Sequence, residues 1–314
     1  FKAVMFLGKR PNKNKQNRRN KNNEPKSTEY HKYEDRIIFQ AKAIRGKIIL
    51  TRVVHRIALR VVYAFPKQSY YLRVLFPMRL EFHSAASRGF ADHGWLKANH
   101  TFSFASWFNR YRMHFGALRV LNDDVVAPSM GFGMHPHDNM EIITIPLKGA
   151  LKHEDSMGFS EVIYAGEVQV MSAGTGIYHS EFNASATEAI NLFQLWIFPN
   201  KKDVTPRYQQ LAYTASDMKD SFLQLVSPEP TDEGLWIHQQ AWIHMIDMSA
   251  NSRQTYQLKQ PSNGVYCMNI EGKKMIEQQP LTFRDALGIS ETDQFEILAE
   301  EPGRLLLIEV PMNF

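Results

Sequence analysis

The sequence predicts an all-β fold built as two β-barrels, with few and short helices. Three observations carry this expectation. From Leu118 onward, short apolar segments alternate with Gly, Pro and Asn-Asp turn signals. Helical periodicity is sparse. The same rhythm runs through residues 78–205 and again through 206–314, as a duplicated barrel requires.

The chain has 314 residues, 44% apolar and 22% charged, enough for one large or two ordinary domains. Its net charge of +5 hides a split. Residues 1–77 hold 19 Lys and Arg against 4 Asp and Glu, a net +15, which leaves 18 against 28 in residues 78–314, a net −10. An acidic core offers no clustered cations to a phosphate backbone, so the core is not expected to bind nucleic acid.

Residues 1–77 read as a basic extension. From Lys9 to Lys26 the run of Lys, Arg, Asn and Gln cannot bury enough apolar surface to offset its ordering entropy, and disorder is expected there. Residues 36–66 then mix Ile, Val and Leu with Arg every three or four positions. That pattern suits a basic amphipathic or targeting segment. The chain opens on Phe1, and composition changes abruptly at Met78, so the extension is expected to be foreign or dispensable to the core.

Within the core, LRVLNDDVV, MEIITIPLKG, SEVIYAGEVQVMSAGTG and INLFQLWIFP supply the strands of the first barrel. A short helix is expected around Thr205–Tyr213. WIHMIDM, QTYQLK, GVYCMNIEG and RLLLIEV supply strands of the second barrel, and TFRDALGIS reads as a short turn before its last pair. No uncharged apolar stretch reaches the ~18 residues of a membrane helix. The single cysteine, Cys267, rules out an intrachain disulfide and suits a reducing compartment such as the cytoplasm. It is expected to be a small buried residue.

Chemistry concentrates in two strings. MHPHDNMEI places His135 and His137 two residues apart, and YHSEFN places His179 and Glu181 two residues apart. Side chains i and i+2 of a strand share a face, so each string can present two donors inward. On neighbouring strands these four would converge as three imidazoles and one carboxylate. That set suits a divalent transition metal with open positions, as in non-haem Fe(II) oxygen chemistry, whereas a closed structural zinc site would recruit cysteine.

HPHDNME and AGTGIYHSEFN resemble the two motifs of the cupin superfamily. DHGWL, HTFSFASW, LRVLNDD, GFGMHPH, HEDSMG, MSAGTGIYHSE and TPRYQQ resemble the pirin family specifically, from about Arg79 through Gln210 and more loosely to Phe314. The resemblance implies a bicupin of two double-stranded β-helix barrels, 78–205 with one metal and 206–314 without. It carries the ligand roles onto His135, His137, His179 and Glu181, usually around Fe(II). It also implies oxidative ring opening of a flavonol such as quercetin with O2, with Glu181 as ligand and proton acceptor. A redox-sensing regulator that binds a protein partner is the alternative from another class, and isomerisation or decarboxylation a third.

Glu141 follows the first motif where the general cupin pattern has a ligand, whereas pirins draw theirs from the second. Glu141, Asp138 and Asn183 are therefore expected to support ligand imidazoles from behind. His153, Asp155 and Ser156 in HEDSMG are read as a solvated strand turn, because adjacency in sequence is not triad geometry. His93, His100, His238 and His244 are read as structural, and Asn122-Asp123-Asp124 as a turn.

Overall fold

The computed structural model describes residues 5–8, 39–40, 71–74 and 78–314. The chain divides into two compact units, Phe1–Pro77 and Met78–Phe314. In the first, strands β1 (Met5–Gly8), β2 (Phe39–Gln40) and β3 (Tyr71–Val74) pair in the order β1-β3-β2. The expected disorder of 9–26 and most of the amphipathic stretch at 36–66 lie outside the described residues.

The second unit contains four sheets. A seven-stranded sheet runs β15 (Arg207–Ala212), β12 (Glu167–Ser172), β9 (Glu141–Lys148), β14 (Ile190–Ile197), β7 (Leu118–Val126), β6 (Leu96–His100) and β5 (Gly89–Asp92). A four-stranded sheet, β11 (Ser160–Tyr164), β10 (Ala150–Asp155), β13 (Ile177–Asn183) and β8 (Gly131–His137), closes over it. Leu151 and Ile163 of the smaller sheet pack on Leu96, Ala98, Val126, Ile190 and Leu192 of the larger one, sealing one end of the barrel.

The second barrel repeats this plan. Its seven-stranded sheet runs β17 (Leu235–Trp236), β16 (Leu223–Ser227), β18 (Trp242–Met248), β25 (Gly303–Pro311), β20 (Asn263–Asn269), β23 (Ala286–Ser290) and β4 (Arg79–His83). Opposite lie β19 (Arg253–Gln257), β24 (Gln294–Ala299), β21 (Lys274–Ile276) and β22 (Gln279–Leu281). Two strands cross the 205/206 division: β4 pairs with β23 in the second barrel, and β15 pairs with β12 in the first.

The continuous apolar runs are explained by burial on both faces. Along β25, Leu305 and Leu307 fill the second barrel while Leu306, Ile308 and Val310 pack between the two large sheets. Along β20, Val265 and Cys267 face the barrel, and Tyr266 and Met268 face the inter-sheet core. From the first barrel, Leu121, Ile143, Ile145, Val168, Val170, Phe193 and Leu195 meet them there. Cys267 is fully buried, which pushes its thiol pKa up.

Three local expectations are corrected. Arg207–Ala212 is a strand, because pairing with β12 and burial of Tyr208 override the helical reading of this short segment. Ala286–Ser290 of TFRDALGIS is a fully buried strand. Asn122, Asp123 and Asp124 lie inside β7 and are buried, Asp123 being held by Arg88 at 3.3 Å and Arg284 at 3.0 Å. The helical element among the described residues is a single 3-10 turn, Ala85–Ser87.

Candidate metal centre

Antiparallel pairing of β8 with β13 sets His135 opposite His179 and His137 opposite Ile177. The three imidazoles therefore meet at the barrel wall. Ring centroids of His135 and His179 are 4.4 Å apart, His137 and His179 4.8 Å, and His135 and His137 4.9 Å. Their donor nitrogens all lie within 4.8 Å of one another. The Gly133 carbonyl accepts from His135 Nδ1 at 2.7 Å, which leaves Nε2 with its lone pair for the site. The edge of His137 packs on Trp196 at 4.9 Å.

Electrostatics keep this cluster ready to bind a cation. Burial, reinforced by the neighbouring imidazoles, lowers the pKa of His137 to about 4 and that of His179 to about 3. Both are thus neutral near pH 7, the form in which imidazole ligates. Among the described residues, neither buried ring nitrogen of His179 has a hydrogen-bond partner. Unpartnered buried nitrogens beside two further imidazoles fit a divalent transition ion.

Glu181 shares the inward face of β13 with His179. Its Oε2 accepts from Gln194 Nε2 at 2.8 Å, and its Oε1 lies 3.5 Å from the Thr144 hydroxyl. Its carboxyl falls into a second group of donors, with His153 and His179, again all within 4.8 Å. Three of the expected four residues thus form one cluster, and the fourth joins it through His179.

The expected supporting residues are placed elsewhere. Glu141 lies on the opposite face of β9 from Ile142 and Thr144, directed to the inter-sheet side, where Ser172 Oγ donates to it at 2.6 Å and the His238 amide also donates. Burial raises its pKa to about 7, partly offset by Ser172 and by Arg207. Asn183 Nδ2 donates to the carbonyls of Val126, Ala127 and Glu188, fixing the chain beyond β13. Asp138 is exposed beside His137.

His153 is a further correction. Far from a solvated turn, its ring is fully buried, with Nε2 3.0 Å from Asp155 Oδ2. Residues that sequence reasoning passed over come from the facing sheet, Thr144, Gln169, Gln194 and Trp196, and Asp124, expected in a turn, joins them from β7. Asp124 is raised to about 8, first by burial and then by Asp123 and Glu181. His100 holds Asn122 Oδ1 at 2.9 Å and sits against Phe104, which packs on Trp196. His93 is exposed, His238 rests edge-on against Trp236, and His244 lies in the second barrel beside Tyr256.

Two cupin-type barrels, with an imidazole and carboxyl cluster on neighbouring paired strands of the first, define a cupin with one candidate metal centre. Residues 81–197 match the family described as Pirin, and residues 224–310 match the quercetinase C-terminal cupin domain. The chain is 40% identical over 227 residues to the quercetin 2,3-dioxygenase of Escherichia coli (strain K12), covering 72% of this chain and 96% of that one. It is 39% identical over 222 residues to a pirin-like protein of Caulobacter vibrioides, covering 70% and 95%. The crystal structure of the bacterial pirin YhhW of Escherichia coli in complex with nickel(II) superposes with a TM-score of 0.71 at 37% identity, over 74% of this chain and 99% of that one. The chain belongs to the pirin family.

Proposed function

We propose that this protein is a metal-dependent dioxygenase that opens the ring of a flavonol such as quercetin with O2. The observation that carries the reading is the cluster of His135, His137 and His179, neutral or partly buried imidazoles beside the Glu181 carboxyl, in a chain whose relatives include a quercetin 2,3-dioxygenase. In this reading the barrel at 78–205 is the reactive one and that at 206–314 is its metal-free companion. His135, His137, His179 and Glu181 would hold the ion, with Fe(II) the metal of choice, in a cytoplasmic protein.

A bound divalent metal would supply Lewis acidity toward a substrate hydroxyl and a common site for both reactants. The chain's own residues do the rest. Glu181 accepts the hydroxyl proton, and its carboxyl is kept aimed by Gln194 and Thr144. Trp196 and Phe104 form an aromatic wall beside His137 that keeps water from one side of the cluster.

The test is an anaerobic-to-aerobic quercetin assay on iron-loaded protein, beside elemental analysis. About one iron per chain, with oxygen-dependent loss of quercetin that His137→Ala abolishes, is expected. Bound iron without turnover, together with metal-dependent capture of a protein partner, would replace the enzyme reading with the regulatory one.

A further inference from the structure

We propose, on the reading of the first barrel as a metal site, that the linker between the two barrels positions His137. Asn139, in the turn directly after β8, and Asp203, in the linker, are the positioning residues. The second barrel, to which the linker is fastened, thereby gains a part in holding the site.

His137 occupies a corner of its sheet. β8 is an edge strand, paired on one side with β13, and His137 is its last residue, opposite Ile177, the first residue of β13. Strand ends at a sheet edge open most readily, because few hydrogen bonds hold them. His179 is 1% exposed, on a strand flanked by β10 and β8, and His135 donates to the Gly133 carbonyl. The ring of His137 meets other rings, those of His135, His179 and Trp196. Its backbone therefore needs a hold from outside the sheet.

The linker supplies that hold. The Asp203 amide donates to Asn139 Oδ1 at 2.7 Å, and Asn139 Nδ2 donates back to Asp203 Oδ1 at 3.2 Å. Next to this pair, the Thr175 amide donates to the Val204 carbonyl and the Asn139 amide to the Gly174 carbonyl, both at 2.9 Å. Three turns, after β8, before β13 and in the linker, thus interlock around the end where His137 and Ile177 pair. The fit is close, since a Cβ at Gly174 would lie 1.9 Å from the Val204 carbonyl oxygen. Asn139 and Asp203 both adopt left-handed backbone, with φ of 44° and 54°, which Asn and Asp tolerate better than most side chains. Each side chain holds the other's turn in that conformation.

The other end of the linker is fastened to the second barrel. Gln239, 3% exposed, donates from Nε2 to the Phe198 carbonyl at 2.7 Å, and the Asn200 amide donates to the His238 carbonyl at 2.7 Å. The second barrel thereby bears on His137 through residues 198–204.

Ni(II) affinity of the full chain, by chelator competition, tests this, with folding checked by near-ultraviolet circular dichroism. Asn139→Gly permits the left-handed backbone but removes both side-chain bonds, and affinity is expected to fall about tenfold. Asp203→Gly breaks the tie from the linker side with one bond lost, for a fall of about threefold, and reads the same effect should Asn139→Gly not fold. Asp203→Asn keeps an acceptor for Asn139 and is expected to bind Ni(II) as the native chain does. His137→Ala separates positioning from general loosening: the affinity left to His135, His179 and Glu181 should not change when Asn139→Gly or Asp203→Gly is added. An equal loss in both backgrounds overturns the positioning role. So do folded Asn139→Gly and Asp203→Gly proteins of native affinity, or an Asp203→Asn protein as weak as Asp203→Gly. In those cases native metal binding still stands, whereas a native chain that binds no Ni(II) overturns the metal reading itself.

Discussion

Gln194 donates from Nε2 to Glu181 at 2.8 Å while its own Oε1 accepts from Trp196 Nε1 at 3.2 Å. The indole thereby fixes which end of the amide faces the carboxyl, since a flipped amide would lose both bonds. Trp196→Phe keeps an aromatic edge against His137 but removes the donor. Metal affinity in chelator competition is expected to fall about tenfold, the lower end for losing an outer hydrogen-bond partner. Unchanged affinity would show that Glu181 orients itself.

Glu141 makes stability depend on pH. Its folded pKa of about 7 lies above the unfolded value of 4.5, so the folded state holds the proton more tightly. The stabilisation is full below pH 4.5 and is lost as pH rises through 7. Over that window the loss is on the order of 3 kcal/mol from this group. Glu141→Gln, which mimics the protonated form, is expected to flatten the pH dependence of urea unfolding between pH 5 and 8. An equally steep dependence in the variant would assign it to other groups.

Asp123 joins two buried guanidiniums, Arg88 and Arg284, and also accepts from Asn191 Nδ2 at 2.9 Å. Asp123→Ala strands both cations, a loss expected to cost about 3–5 kcal/mol in chemical unfolding. Because Asp123 points away from the imidazole cluster, the folded fraction is expected to retain native metal stoichiometry.

In the second barrel Glu309 accepts from Tyr256, the amides of Lys259 and Gln260, and Asn263 Nδ2, at 2.9–3.1 Å. Tyr256 also meets His244, whose pKa burial lowers to about 3. Glu309→Ala leaves several buried donors without an acceptor, and a loss of about 3 kcal/mol or more is expected. Metal content of the folded protein should be unaltered, and a fall would link this network to the first barrel's site.

The strand rhythm and the paired donors were legible because both depend on local alternation: His135 with His137, and His179 with Glu181, share faces by strand geometry alone. The same two-residue spacing joins His153 to Asp155, so the signal was present in HEDSMG, but burial was needed to separate it from a turn. Gln194, Thr144 and Trp196 left no mark, because they reach the site from the facing sheet through the register of β14 and β9. Glu141 misled for the opposite reason. It sits in the right string, but at the odd position of β9, whose pleat sends it to the other side. Asp123 and Asp124 carry turn chemistry that pairing across β7 overrides.

The placement of β25 and β4 has a consequence for synthesis on the ribosome. Every strand of the first barrel has been made once Ala212 is reached. The second large sheet has its centre in Gly303–Pro311, between β18 and β20, and its edge in Arg79–His83, paired with β23. The nascent chain can thus assemble the imidazole-bearing barrel early, while its first core strand waits some two hundred residues for its partner. Long-range closures of this kind are slow, and the apolar inter-sheet face of the first barrel stays uncovered until the last residues emerge.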